Sequence, residues 1–522
     1  MSSRLLHGAG QIGVVIGRTL AYILVWAGLA LLIAAVVIRV YWGKISVGQM
    51  LLNLVSVETD GGGGAIVWTS ILGIGVVPLV ITIGIALRQY FRRRKRRRFG
   101  GDKRSRRSQW IMHAVSTALV IAVAVSGTTA FATTVDLAEY IRAANSKYDI
   151  GDYYVEPTVT SDKDKRNLVV IYLESGEATL GDDKLFEKDP FTTLKDATKA
   201  ADGWQSVDDL RQYEGGGWTM AGLTATQCGV PLKGMGSITS TGALNQLGGE
   251  VDTYLGGVTC LGDVLDQHGY NSVFLGGANA SFAAKDVFLK GHGYSTIKDL
   301  SDWRAAGEPE NNFRSDWGLS DERLMAYAKE EIDELHAEAE KTGQPFNLSI
   351  LTLDTHDPVH IFDYCNVDTQ NASISVFACS ATQVAGFVNH MKEKGYLDDT
   401  AVVIMGDHVK QLNAGDPSRE QLDGYSNRSI FNRIWVPGGD KNSELRSGLD
   451  QLNLYPTILE AAGLALQDHE AGLGVSAFVS EVPDGSAQAM DPSAYAELLT
   501  SRSARFYAEA WAGEDAPDDA PQ

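Results

Sequence analysis

Three apolar stretches near the start of this chain, with one densely basic run between the second and third, constrain its fold more than any other feature. They cover about residues 20–41, 65–87 and 110–133, and each reaches the roughly 20 residues a helix needs to cross a hydrocarbon core. A cleaved leader does not fit the first, whose apolar core is too long and is followed by further spans. Residues 88–109 read RQYFRRRKRRRFGGDKRSRRSQ, and short loops rich in Lys and Arg stay in the cytoplasm. Arg4 and Arg18 keep the N-terminus on that side too. Three crossings then deliver everything after residue 133 to the outside. The basic loop is read as a topology determinant, with anionic-lipid binding as an addition. The weakly apolar 45–55 and the run Gly61 to Gly64 fall in the outer loop, as an interfacial segment.

Charge sharpens the division. The net charge is -20, yet residues 88–107 are strongly basic, so the chain beyond residue 133 is acidic. That asymmetry argues against nucleic acid as a partner. All four cysteines, Cys228, Cys260, Cys365 and Cys379, lie in the external part. An even number in an oxidising compartment predicts two disulfides, and of the three connectivities sequence proximity favours Cys228–Cys260 and Cys365–Cys379. A zinc site lacks the C-x-x-C spacing it would want.

The domains expected are a transmembrane part over 1–133, a linker over 134–164, a catalytic domain over 165–480, and a C-terminal helix with an acidic tail over 481–522. The linker carries an amphipathic helix over 135–146 and then an extended segment. Beyond it, β-branched runs at 168–173, 272–275, 347–353, 401–405 and 434–436 alternate with helical stretches. Among these are 321–341, opening after Ser320, and 451–462, stopping at Gly463. This is the pattern of an α/β domain with a mainly parallel central sheet. One further helix is expected over 492–510, and the tail GEDAPDDAPQ is expected to lack fixed structure.

Three of the runs end in reactive groups: NLVVIYLES in Glu174, NLSILTLDTHDP in His356, AVVIMGDH in Asp407 and His408. Ligands of open α/β sheets bind beyond the carboxyl ends of the strands, so these four side chains should converge. One acidic residue after a strand is more often a turn former; three coincidences in one domain favour a site. Carboxylates with one imidazole suit manganese, magnesium or zinc, a cation that polarises a phosphoryl oxygen and activates a hydroxyl. The segment EGGGWTMAGLTATQCGVPL supplies a hydroxyl. Gly215 to Gly217 let the backbone approach closely, and Thr219 opens a helix, whose N-terminus favours phosphate. Whether Thr219 is the nucleophile or a mere N-cap is left even by this segment. Thr224 and Thr226 are rivals placed inside the helix. His268, His292 and His336 are expected on loop or helix surfaces, His390 exposed on a helix, His469 in a polar loop, and His360 is a minor candidate.

WTMAGLTATQCGVPL, GGANASFAAKDVFLKGHGY, RSDWG, LTLDTHDP and VVIMGDH, in this order over about residues 165–465, resemble the bacterial phosphoglycerol transferases. The likeness is to the type that decorates membrane-derived oligosaccharides (periplasmic glucans), within the alkaline phosphatase/sulfatase-like superfamily; lipoteichoic acid synthases are more distant. The resemblance implies a sulfatase-like fold with the metal, manganese first and magnesium or zinc after it, held by Glu174, Thr219, Asp407 and His408. Thr219 is then ligand and nucleophile, and His356 contacts phosphate or moves the leaving group's proton. Lys285, Asp286, Arg314, Asp316 and Trp317 become donor headgroup contacts; their bland alternative is Asp316 paired with Arg314 or Lys285 and Trp317 in the core. The donor implied is phosphatidylglycerol, which leaves a glycerophosphothreonine and diacylglycerol. The acceptor is an extracytoplasmic polysaccharide or lipoglycan, and the location the bacterial inner membrane, multi-pass, with the catalytic domain outside. The chain lacks the aromatic and arginine that the synthases carry near positions 283–285, and it has three spans where they have five. A sulfatase would want Cys or Ser followed by Pro-x-Arg, where this chain has Thr219-Met220-Ala221-Gly222. Phosphoethanolamine transfer and a non-catalytic glycan-binding protein are the alternatives.

Overall fold

Long apolar runs favour helix because it satisfies its backbone hydrogen bonds without water. The structure is a computed structural model that describes residues 2–41, 71–98, 106–234, 253–314, 317–412, 416–439 and 444–512. It divides into the units Met1–Ile141 and Arg142–Gln522. The first holds α1 (Ser2–Tyr41), α2 (Val77–Arg98) and α3 (Arg106–Thr134). A π-helical segment, Ile71–Val76, runs directly into α2, so Pro78 lies within a continuous helical run, and such local widening is how a membrane-type helix re-satisfies the backbone groups a proline frees. Leu, Ile and Val along all three helices remain exposed. A Cβ on Gly127 of α3 would fall 2.0 Å from the Gly28 carbonyl oxygen of α1, so only glycine allows this close crossing.

One expectation shifts here. The basic run is largely helical, since α2 continues to Arg98 and α3 begins at Arg106; Arg and Lys are good helix formers and simply prolong the apolar helix. The interfacial segment at 45–55 and the glycine run lie outside the described residues. Among the described residues four helices are long and apolar enough to span a bilayer: Val15–Arg39, Leu72–Lys95, Trp110–Thr134 and Ala372–Lys394. The fourth belongs to the second unit, where it buries Ile374, Phe377, Val384, Phe387, Val388 and Met391 in the core.

The second unit is built on a six-stranded sheet: β1 (Asn167–Leu173), β2 (Asn271–Gly276), β3 (Tyr294–Lys298), β4 (Phe346–Leu351), β5 (Thr400–Gly406) and β6 (Asn432–Trp435). The order across the sheet is β3-β2-β4-β1-β5-β6. All neighbours are parallel except β5 and β6. β1, β4 and β5 are buried along their whole length, as strands covered on both faces must be. One face carries Val169, Ile171 and Leu173 against α6 (Asp321–Thr342) and α7 (Ala372–Lys394). The other meets α4 (Thr219–Cys228), whose Thr226 hydroxyl bonds the Tyr172 hydroxyl at 3.2 Å. Each large apolar side chain so buried contributes about 1.5–3 kcal/mol relative to exposure.

Edge strand β3 was not expected; its half-exposed residues give no apolar run. The segment expected as linker joins this unit, because Val159–Ser161 pairs with Ala465–Leu466. The single C-terminal helix is two, Pro492–Thr500 and Ala504–Ala512. Ser503 takes φ 40° between them, and its hydroxyl accepts from the Ile150 N–H at 2.8 Å; tertiary bonding overrides a sequence that could continue as helix. Leu498, Phe506 and Tyr507 are buried, so this segment belongs to the domain, and the acidic tail lies outside the described residues. Cys228 is bonded to Cys260 and Cys365 to Cys379.

Candidate active site

Register brings the first two carboxylates together. Leu173 of β1 lies opposite Gly406 of β5, so Glu174 and Asp407, each the next residue, leave the sheet on adjacent strands, about 4.8 Å apart in ordinary geometry. Ser175 turns the chain at φ 54°, a conformation costing of order 1–3 kcal/mol for a side-chain-bearing residue. In return its N–H donates to Asp407 Oδ1 at 2.8 Å and its hydroxyl to Glu174 Oε1 at 2.8 Å. Thr352 and Thr355, from the loop after β4, bond the Glu174 N–H and carbonyl at 2.9 and 2.5 Å.

His408 completes the cluster. A carbonyl can only accept, so the 2.8 Å contact from Nδ1 to the Val409 carbonyl puts a proton on Nδ1 and leaves Nε2 available to a ligand. Nε2 stands 3.5 Å from Glu174 Oε1 and 3.6 Å from Asp407 Oδ2. Ligand atoms of Glu174, Asp407 and His408 all lie within 4.8 Å of one another, and all three residues are buried. Asp407 Oδ2 is buried without a hydrogen-bond partner, an arrangement costly unless something cationic meets it. The residues present therefore fit a divalent cation.

The electrostatics agree. Burial and the charge of Glu174 push the Asp407 carboxyl up to about 7. Burial also acts to raise Glu174, but His408, His356 and the Ser175 and Thr219 hydroxyls outweigh it and hold it below the usual carboxylate range. For His408 burial acts downward, and Asp407 and Glu174 overcome it, raising the imidazole. A divalent cation answers the same crowding of negative charge that otherwise calls for a proton.

Thr219 is the first residue of α4, and the N-cap is Trp218, which makes no side-chain cap. The Thr219 hydroxyl donates to Glu174 Oε2 at 3.2 Å instead of serving the helix. Its rivals face the interior: Thr224 and Thr226 are fully buried, and Thr226 bonds the Gly222 carbonyl at 2.8 Å. Gly222 is where α4 meets the β5 loop, since a Cβ there would fall 2.0 Å from the Asp407 carbonyl oxygen. That carbonyl accepts from Gln451 Nε2 at 2.6 Å.

Around this centre, Lys285 opens the short helix Lys285–Gly291 after Ala283 and Ala284, both left-handed. It is 6% exposed. Burial lowers its ammonium pKa, against the fields of Glu174 and Asp407. A buried cation in the field of two carboxylates suits an anionic ligand. His356 is pushed below its usual value first by burial, with Glu174 opposing and Arg314 adding; its Nδ1 is buried without a hydrogen-bond partner. Arg314 donates to the His356 carbonyl at 2.8 Å, and the Trp317 ring centroid lies 4.2 Å from that of His356. Asp286 turns to Lys290 on its own helix, 3.8 Å away. Asp316 lies outside the described residues.

Two histidines expected on the surface are buried. His292 bonds Asp263 at 2.6 Å and the Tyr254 carbonyl at 2.9 Å, and His336 stacks on Tyr396 at 4.1 Å. Cys260, Asp263 and His292 cluster at metal-ligand distances, but Cys260 is held in a disulfide. Sequence reasoning missed Ser175, Gly222 and Gln451. A Glu-Ser-Gly turn after a strand could have pointed to Ser175; nothing in the sequence pointed to Gln451.

The sulfatase family model matches residues 166–464. Phosphoglycerol transferase I of Escherichia coli O139:H28 and that of Shigella boydii serotype 18 are each 31% identical over 337 residues, 63% of this chain and 41% of theirs. The match thus spans less than half the length of these curated relatives. The lipoteichoic acid synthase LtaP from Listeria monocytogenes is similar in structure, at TM-score 0.48 and 16% identity over 68% of this chain and 95% of that one.

Proposed function

Because the chain belongs to the sulfatase family, we propose that it is a metal-dependent phosphotransferase anchored in the bacterial inner membrane by three spans, with its catalytic domain outside. It moves glycerophosphate from phosphatidylglycerol to an extracytoplasmic glycan. The observation that carries the reading is the Thr219 hydroxyl at a helix N-terminus, bonded to Glu174 beside Asp407 and His408. The 31% identical relatives named phosphoglycerol transferase I support the substrate class.

Glu174, Asp407, His408 and Thr219 would hold the cation, manganese by preference, which when bound would draw charge from a phosphoryl oxygen and acidify a neighbouring hydroxyl. Lys285 and the N-terminus of α4 receive the phosphate. Glu174 accepts the Thr219 proton; the Thr219 oxygen bonds phosphorus as the bond to the diacylglycerol oxygen breaks. Burial keeps His356 neutral in the free site, and the seated anion favours its imidazolium. His356 therefore enters this displacement as the acid that protonates diacylglycerol and leaves it neutral. In the second displacement it accepts the glycan hydroxyl's proton while that oxygen takes the phosphorus and Thr219 recovers its own. Two displacements replace one difficult step.

The test uses the full chain with manganese and vesicles of phosphatidylglycerol labelled in the headgroup or the acyl chains. Diacylglycerol release with headgroup label on the protein is expected for the wild type, and neither for Thr219→Ala. Release that persists in Thr219→Ala removes Thr219 as nucleophile. Label taken from phosphatidylethanolamine and not phosphatidylglycerol overturns the donor.

A further inference from the structure

We propose that Lys410 is a positioning residue. Through a buried ion pair with Asp357 it fixes the His356 loop against the strand ends that carry Glu174, Asp407 and His408. The proposal rests on the reading of His356 as the proton carrier of the transfer.

Lysine is almost never fully buried unless paired, and Lys410 is 1% exposed. Its Nζ lies 2.5 Å from Asp357 Oδ2 and 2.8 Å from Asp416 Oδ2, with the Phe377 ring centroid 6.0 Å away. Lys410 follows His408 by two residues, and Asp357 follows His356 directly. This bond ties the loop after β4 to the loop after β5 right beside His356, whereas another side-chain bond between them, Asn371 to Ser418 at 2.9 Å, lies at the far end of the first loop. The backbone of Lys410 is held as firmly. Its N–H donates to Glu177 Oε2 at 3.0 Å, and Glu177 is fully buried three residues beyond Glu174. Arg428 donates to Glu177 Oε1 at 2.8 Å and also bonds the Lys410 carbonyl. One charged network thus runs beneath all three loops that deliver the reactive groups.

Burying an ion pair is a poor way to gain stability, since apolar groups of the same size often do as well. Fixed orientation is another matter, because chemistry is sensitive to displacements of about 1 Å. The loop after β4 leaves the sheet at Leu351; Thr352 and Thr355 tie its first part to Glu174 and Leu353 and Asp354 bond Asp321, and Asp357, just past His356, is tied by Lys410. Lys410, two residues beyond His408 in the loop after β5, spans the distance to Asp357 with its side chain. Lysine has that length and a charge to match.

The test uses the full chain with Lys410→Met, Asp357→Asn and the double variant. Hydrogen exchange of the backbone amides of residues 353–357 is read against those of β1 and β5. Alongside it, kcat and KM are measured for diacylglycerol release. Each single variant is expected to speed exchange in the loop by about tenfold with the strands unchanged. It should lower kcat by about tenfold with KM within about twofold, and the double variant should be no worse than either single one, as for residues acting as a unit. Unchanged loop exchange, losses spread evenly over the strands, or additive losses in the double variant each overturn the proposal. A wild type that releases no diacylglycerol sinks the donor assignment alone, because exchange still decides the positioning. If Lys410→Met does not fold, the near-isosteric Asp357→Asn decides it by the same readings.

Discussion

Gly222→Ala offers a test in which two physical effects have opposite signs. In an exposed helix, replacing Gly by Ala gains about 1 kcal/mol of helix propensity. In α4 the added Cβ would sit 2.0 Å from the Asp407 carbonyl oxygen and 2.8 Å from its carbon. Ordinary contact begins at 3.4 Å, so helix and loop must separate by about 1.4 Å. Neither side yields cheaply. The Asp407 carbonyl is tied to Gln451 and its N–H to the Leu173 carbonyl, and α4 is buried along nearly all its length. Overpacking of this kind costs about 1–3 kcal/mol, so the variant should be less stable by up to about 2 kcal/mol. The separation also lies on the line between Thr219 and its partners, and it breaks a 3.2 Å bond to Glu174. Misplacement by 1 Å is worth about 100-fold in rate, or about 2.7 kcal/mol of barrier. Thermal unfolding and diacylglycerol release measured on the same preparation read both effects. A stabilised Gly222→Ala with activity near wild type would refute the close approach of α4 and Asp407 and, with it, the geometry assigned to Thr219.

Removing metal with a chelator should abolish release and also lower the Tm. A ligand at 100 times its Kd stabilises by about 2.7 kcal/mol, whereas Asp407→Ala should show no chelator-dependent shift; an equal shift in both places the metal elsewhere. Lys285→Met should lower kcat/KM for an anionic donor by about 100-fold while leaving the Tm unchanged or raised, because it removes a buried charge in favour of an apolar side chain. A falling Tm with intact turnover would make Lys285 structural. Burial, against bonds from Ser380 and the Leu353 and Asp354 N–H groups, pushes Asp321 up to about 6. An acid raised on folding stabilises below its unfolded value of about 3.9 and loses that contribution as pH rises through about 6. Wild-type Tm should therefore fall between about pH 4 and 7 relative to Asp321→Asn; parallel profiles would refute the assignment.

The sequence by itself carried the apolar spans, the α/β alternation and three of the strand-end groups, because those signals are local. Periodicity, a turn after a strand and a run of arginines are each written within a dozen neighbouring residues. Glu174, Asp407 and His408 were legible for that reason: parallel strands in common register bring their next residues together. Tertiary structure alone decided where the Thr219 hydroxyl goes. An N-cap and a hydroxyl aimed at a site have the same neighbours in sequence, and they differ in whether the hydroxyl turns back to its own helix or across to Glu174, 45 residues away. Ser175, Gln451 and the Lys410–Asp357 pair were illegible likewise, since each acts on a partner that only folding brings near. The apolar helix Ala372–Lys394 makes the converse point. Its composition suits a membrane as well as a core, and the sheet it packs against settled the matter, because burial against β-strands removes the same apolar surface from water that lipid would.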